Sequence, residues 1–262
     1  MEFNDVIHGH RSIRQYEDRE VSQDVLDEIL NAGIRASSSG NMQSYSIVVT
    51  RDKELRKKLY TPHMDQSMVL DAPVLLTFCA DFNRMRRWLE LNDAPVHFDN
   101  FMSFMIGAID ATLASQNCAL AAENAGLGIC YMGSTLANCD QIGELLNLPP
   151  NVVPVVGYSL GYPAESPAVR DRLPQQGLVH YEQYEDYTDE RILDIYAERN
   201  EKGWQRYMDV PQLKEMTERL GLQNLAQIYT IAKYTKESHL GYSQTVLDYL
   251  DKQNFMRNDE SN

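Results

Sequence analysis

The chain has 262 residues, 43% of them apolar, with 24 basic against 38 acidic side chains and a net charge of −14. That size and composition fit one globular unit, or a main domain with an appendage, and exclude a small disulfide scaffold. The negative charge works against nucleic acid and anionic lipid, which are gripped by clustered Lys and Arg, so an anionic ligand has to be held by a local exception. The longest apolar run, about residues 72–80, is far short of the ~20 residues of a membrane span, and no signal-type apolar core follows Met1. A cytoplasmic protein with no membrane or nucleic-acid partner is expected.

From Ser22 the spacing of Val25, Leu26, Ile29, Leu30, Gly33 and Ile34 predicts an amphipathic helix with Ser22 as its N-cap. Residues 45–50 (YSIVVT) read as a strand, DKELRKKLY as a charged surface helix, and APVLLTFCA at 72–80 as a buried strand. The stretch from about Asn100 to Asn124 predicts one long helix, apolar on most faces and stopped near Gly126. Such a helix has to be enclosed, in its own subunit or against a partner. GICYMG at 128–133 reads as a strand, DQIGELLNL as a helix with Asn138 as its cap, and 152–163 as a further strand. Four strands separated by helices imply an α+β or α/β layer fold. Residues 182–201 hold eight acids against Arg191 and Arg199 and read as a solvated helix or linker. The tail from Trp204 to Phe255 is helical in pattern, interrupted at Pro211, Gly221 and Gly241, and is expected to wrap the main body or a second subunit.

Four segments could carry chemistry. In HGHRSIRQYED at 8–18, Arg11 and Arg14 flank Ser12, a pattern suited to a phosphate because the guanidinium fork matches its oxygens. On the sequence alone the plainer reading of the same arginines is that of surface residues paired with Asp18 or Glu20. His8 and His10 are poorly spaced for a metal and have no evident third ligand, so no metal site is expected. RASSSGNMQSYS at 35–46 offers Ser37, Ser38, Ser39, Asn41 and Gln43 to a polyhydroxylated ligand, or is a polar loop ending a helix. Gly133-Ser134-Thr135 follows a strand, where a glycine lets a ligand approach the backbone, although a plain turn looks the same. In PAVRDRLP, Arg170 and Arg172 alternate along an extended segment and can point to one side. Cys79, Cys118, Cys130 and Cys139 form no C-x-x-C pair and read as small hydrophobes. With no side-chain nucleophile or metal in view, the hard chemistry is expected to belong to an organic cofactor.

HRSIRQY, SSSGNMQSYS, FCADFNR, AAENAGLGICYMG and LGYPAESPAVRDRLP, in that order over about the first 180 residues, resemble the FMN-dependent nitroreductase family, in particular its NADPH-dependent nitro and flavin reductases. The resemblance implies an α+β sandwich, a central mixed sheet flanked by helices. Residues 1–180 would form the FMN-binding domain, and 181–262 a helical extension swapped onto the partner of an obligate homodimer, with the long helix at the interface. It implies that His10, Arg11, Ser12 and Arg14 hold the FMN phosphate and ribityl region and that Arg170 and Arg172 complete the clamp. Ser38, Ser39, Asn41 and Gln43 would line the ribityl chain or ring edge, Gln66 would bond the isoalloxazine, and Gly133 and Ser134 would present backbone N–H groups to it. No side chain is implied to be catalytic. NAD(P)H, with NADPH favoured, would supply electrons for a small-molecule acceptor such as a nitroaromatic, a quinone or free flavin; reductive dehalogenation, flavin degradation or flavin storage are the alternatives on the same scaffold. Where relatives have two glycines this chain has Gly133-Ser134, and where a lysine is common it has Arg170. Arg199, Lys202 and Arg206 are the candidates for reading a 2′-phosphate.

Overall fold

In the computed structural model, which describes residues 2–257, the segments expected as strands pair into one sheet. These are β1 (Tyr45–Thr50), β2 (Val74–Asp81), β3 (Gly128–Tyr131) and β4 (Val152–Gly161), in the order β1-β2-β4-β3. All three pairings are antiparallel, so the mixed sheet implied by the resemblance is corrected. The parallel contact is instead an isolated bridge between Ser12 and Ile129. Every residue of β2 is buried because the strand is central and covered on both faces, which is why it reads as an unbroken apolar run. Its side chains alternate: Leu76 and Phe78 join the core with Leu26, Ile29, Ala114 and Tyr158, while Leu75 joins Leu59, Met68, Val69 and Ile142.

The helices begin where their caps stand. Helix α1 (Phe3–Gly9) precedes the arginine segment, and α2 (Gln23–Ile34) starts at Ser22, whose hydroxyl accepts from the Val25 N–H at 3.4 Å. Asp52 caps α3 (Lys53–Tyr60), accepting from the Leu55 N–H at 2.7 Å. Two short helices follow, α4 (Met68–Asp71) and α5 (Asn83–Glu90). Asn100 caps the long helix α6 (Phe101–Asn124) through the Ser103 N–H at 3.0 Å. Small residues let α6 lie close to the sheet: a Cβ on Gly107 would stand 2.8 Å from the Ser44 carbonyl oxygen. The opposite face of α6 is left open, with Met102 67%, Met105 38%, Ile109 50% and Leu113 42% exposed, so its enclosure is incomplete within one chain. Beyond β3 come α7 (Ser134–Ala137) and α8 (Cys139–Leu145). Asn138 stands at the start of α8 but its side chain makes no capping bond there, donating instead to the Pro62 carbonyl at 2.6 Å.

Two compact units share the chain. The sheet unit takes residues up to Ala168 together with those from Tyr242 onward; the second unit is Val169–Gly241. In the second unit the acid-rich stretch forms α9 (Asp189–Met208), followed by α10 (Pro211–Arg219) and α11 (Leu225–Gln227), which continues as a π-helical turn over Ile228–Lys233. Leu222, Leu225 and Ile228 pack with Trp204 and Tyr207, a small core of its own that the sequence reading did not anticipate. Pro211 opens α10, and Gly221, at φ +65°, follows its end, as expected of both residues. Gly241 does not interrupt: α12 (Lys236–Lys252) runs through it, and Tyr249, Leu250 and Phe255 pack in the sheet unit with Phe82 and Phe104. Among the described residues, no helix is long and apolar enough to cross a membrane.

Candidate active site

The arginine segment lies along the edge of the sheet. The Ile13 N–H donates to the Ile129 carbonyl at 2.9 Å, and with the Ser12–Ile129 bridge this seats residues 12–13 beside β3. Glu165 fixes the next turn by accepting from the N–H groups of Arg14 (2.5 Å) and Gln15 (3.1 Å). The Arg11 side chain donates only to neutral acceptors: the Gly9 carbonyl (3.2 Å), the Ser166 hydroxyl (3.1 Å) and the Pro167 carbonyl (3.2 Å). Arg14 donates to the Ser12 carbonyl at 3.5 Å. Among the described residues neither arginine forms an ion pair, so the alternative of surface arginines paired with Asp18 or Glu20 is not what the structure shows. His10 turns its Nδ1 to Glu123 at 2.5 Å; the carboxylate only accepts, so Nδ1 carries the proton and Nε2 is the nitrogen left for a ligand. A cavity of about 290 Å³ opens beside Arg11, Glu123 and Gly128.

The serine-rich loop is organised from beneath by Asp110 of α6, which is fully buried. Its carboxylate accepts from the Ser38 hydroxyl (2.7 Å), the Ser39 N–H (3.0 Å), the Ser44 hydroxyl (2.9 Å) and the Ser44 N–H (3.3 Å). Four donors on one carboxylate offset the cost of burying it. Ser38 therefore acts inside the loop, donating to Asp110 and accepting from the Gln43 N–H at 2.8 Å. Gly40, Asn41 and Gln43 have φ of +55°, +57° and +48°, left-handed positions that such anchoring maintains. Arg84 adds a further tie, donating to the Gln43 and Tyr45 carbonyls. Asn41 and Gln43 join through their amides at 2.5 Å, and both line a cavity of about 440 Å³ with Arg84 and Trp88.

Gly133 and Ser134 stand four and five residues past Ile129, and a Cβ built on Gly133 meets nothing within 4 Å, so the backbone there is open to approach. Ser134 and His63 are both buried, with the His63 Nδ1 3.0 Å from the Ser134 hydroxyl. The Gln66 Nε2 donates to the His63 carbonyl at 2.7 Å and to the Ser134 hydroxyl at 3.2 Å. Burial pushes the His63 imidazole down to about 4, so the ring is neutral at pH 7. No thiol is poised as a nucleophile: all four cysteines are buried, and burial pushes Cys118 up to about 11 and Cys139 up to about 12.

Arg170 and Arg172 belong to the second unit, where they line a cavity of about 650 Å³ with Arg199, Arg206 and Lys233. Between them, Asp171 pairs with Arg206 at 2.7 Å and Arg199 at 3.4 Å. Burial would raise the Asp171 carboxyl, but the hydrogen bond and charge of Arg206, with the charge of Arg199, hold it below its ordinary value. Lys202 pairs with Glu198. All three candidates for reading a 2′-phosphate are thus engaged with carboxylates, whereas Arg170 and Arg172 form no ion pair among the described residues.

The nitroreductase family model matches residues 7–162. The chain belongs to the nitroreductase family. One relative, from Bacillus subtilis (strain 168) and named an FMN reductase of NAD(P)H, is 41% identical over 177 residues, covering 67% of this chain and 71% of its own. A solved structure from Bacteroides fragilis NCTC 9343 is 40% identical with a TM-score of 0.88 and covers 96% of this chain and 99% of that one. The NADPH:FMN oxidoreductase of Vibrio harveyi, solved with NAD+, is 30% identical with a TM-score of 0.74, over 97% of this chain and 99% of that one. The fold is the α+β fold of these nitroreductase neighbours. Beside the residues that the sequence pointed to, Gln66, Gly133 and the arginines, the structure adds Asp110, His63, Glu123 and Glu165, which bond to the candidate residues or their loops. Asp110 carried a signal, being the one charged residue in the apolar stretch 101–122; His63 carried none.

Proposed function

We propose that this protein is an FMN-dependent oxidoreductase that passes electrons from NAD(P)H to nitroaromatics, quinones or free flavin. The observation that carries the reading is a pair of arginines, Arg11 and Arg14, whose guanidinium groups form no ion pair among the described residues and which are held beside β3, the strand that leads to the open backbone at Gly133. From Ile129 the strand runs on to Tyr131 and Gly133 follows two residues later, a separation on the order of 10 Å at the rise of a strand. That span suits a ligand with a phosphate at one end and a ring system at the other, and the residues present therefore fit FMN.

When bound, FMN supplies the hydride chemistry. The chain's own residues bind and orient: Arg11, Ser12, Arg14 and His10 receive the phosphate end, Ser39, Asn41 and Gln43 line the middle, and Gln66 with the Gly133 and Ser134 N–H groups meets the ring. No side chain needs to react, consistent with thiols kept protonated and a histidine kept neutral. Arg170 and Arg172 are assigned to the phosphate by the resemblance, and the absence of an ion pair leaves their charge available. The names of the relatives support NADPH as well as NADH as donor.

The exposed stripe of Met102, Met105, Ile109 and Leu113 supports a homodimer formed across α6, and action in the cytoplasm belongs to the same reading. The test is spectroscopic and kinetic. Purified protein should be yellow, release FMN rather than FAD on denaturation, and oxidise NADPH catalytically when nitrofurazone is added. Colourless protein that takes up no FMN, or a single reduction without turnover, overturns the reading.

A further inference from the structure

The turn at 61–66 is tied to the 133–138 segment at several points, and His63 supplies two of the bonding groups. Asn138 holds the Pro62 carbonyl, the His63 ring meets the Ser134 hydroxyl, and the His63 carbonyl receives the Gln66 amide. Two consecutive left-handed residues, Met64 (φ +58°) and Asp65 (φ +51°), bend the chain so that Gln66 returns toward His63. Neither is a glycine, so the bend costs energy and persists because the surrounding bonds hold it.

The bonding directions are set by what each group can do. A backbone carbonyl only accepts, so the Gln66 amide nitrogen faces His63 and Gln66 Oε1 is turned away from that bond. The Ser134 oxygen accepts from the same amide nitrogen, which leaves the Ser134 proton for the Nδ1 of a neutral His63. We assign the imidazole as the Nε2-protonated tautomer, in which Nδ1 accepts from that hydroxyl. Among the described residues no carboxylate or cation pairs with it, and the ring is buried.

We propose that His63 is a positioning residue of the ring end of the site: its carbonyl orients the Gln66 amide with the oxygen outward, and its neutral ring fixes the Ser134 hydroxyl beside the open backbone at Gly133. This rests on the flavin reading above, and it assigns a role to a residue that the motifs do not include. What the triad then offers a bound heterocycle is an acceptor at Gln66 Oε1, which matches an N–H of the ring rather than one of its carbonyls. Misplacing the amide would put its nitrogen there and invert the match.

The experiment measures dissociation constants of FMN and riboflavin by quenching of flavin fluorescence, with thermal melts of the flavin-free proteins recorded alongside. Because His63 acts at the ring end, His63→Phe should weaken both flavins alike, by roughly fivefold to tenfold, the equivalent of one lost hydrogen bond. His63→Asn, whose side-chain oxygen can take the place of Nδ1, should restore both to within about twofold of the starting protein. Ser134→Ala, a small change at the other end of the same bond, should reproduce the loss of His63→Phe, and the double variant should lose no more than either. A purely structural role would lower melting temperatures without this pattern of affinities. Both flavins binding His63→Phe or Ser134→Ala as the original overturns the proposal, as does a loss confined to FMN or a failure of His63→Asn to rescue. An original protein that binds neither flavin overturns the functional reading itself, and the proposal with it.

Discussion

Around the candidate site residues, the sheet unit and the second unit use charge differently. In the sheet unit, ionisable groups are buried beneath loops, Asp110 under residues 38–44 and His63 under Gln66 and Ser134, while the guanidinium groups of Arg11 and Arg14 donate only to neutral acceptors. In the second unit, charge is mostly matched with charge, Asp171 with Arg199 and Arg206, Lys202 with Glu198, Lys214 with Glu218. A guanidinium bonded to carbonyls keeps its charge for an incoming anion, whereas one bonded to a carboxylate must give up that partner first. The difference separates groups that shape or receive a ligand from groups already satisfied.

The contrast is broken most directly at Asp110. Asp110→Ala removes the acceptor of four hydrogen bonds and leaves the buried Ser44 N–H and hydroxyl without a partner. The expected cost is roughly 3–5 kcal/mol by denaturant unfolding, at 1–3 kcal/mol per stranded group. A loss below about 1 kcal/mol would show that the loop does not depend on its buried anion. Next in size is the effect of pH through His63. The folded imidazole titrates near 4 and the ordinary value is 6.5, so between these values the unfolded chain holds a proton that the folded chain lacks. Stability contributed by the neutral ring is complete above about pH 6.5 and falls by roughly 3 kcal/mol as the pH drops to 4. The melting curve of His63→Asn should lack this segment of the pH dependence; parallel curves for the two proteins would refute the assignment.

At the arginines the effect is on binding. Arg14→Ala, and by the resemblance Arg172→Ala, should weaken FMN by roughly 1.5–3 kcal/mol, the range for a hydrogen bond to a charged group. Riboflavin, without the phosphate, should be unaffected, and an FMN dissociation constant within twofold of the original would make the substituted arginine a surface residue. The smallest expected change is in the second unit. Asp171→Asn should cost about 1 kcal/mol or less in stability, because its arginine partners are partly solvated. It should also shift the ratio of KM values toward NADPH over NADH as Arg199 and Arg206 are released. An unchanged ratio would show that this cluster does not meet the nucleotide.

Much of the fold was legible locally. Ser22, Asp52 and Asn100 each cap a helix because a short polar side chain before an apolar repeat satisfies an N–H that the helix leaves open. The β-branched runs became strands, and the order of the motifs placed the chain in its family. The opposite outcomes at Gly241 and Gly221 show the limit. Both are glycines in a helical pattern, yet one lies inside α12, a helix whose C-terminal part is anchored by buried Tyr249 and Leu250, and the other, at positive φ, follows the end of α10.

What the sequence by itself determined is whatever depends on neighbours a few residues apart: caps, strand composition, the arginine spacing and the apolar stripe of α6. The tertiary structure alone decided that β4 inserts between β2 and β3, that Asp110 reaches Ser38 from 72 positions away, and that His63 meets Ser134 across 71. Those pairings arise when the packed core brings distant side chains within hydrogen-bonding distance and water is expelled, so that a polar group must find its partner among whatever the fold has placed beside it. No local pattern records that choice, and it is made only where the chain has already closed on itself.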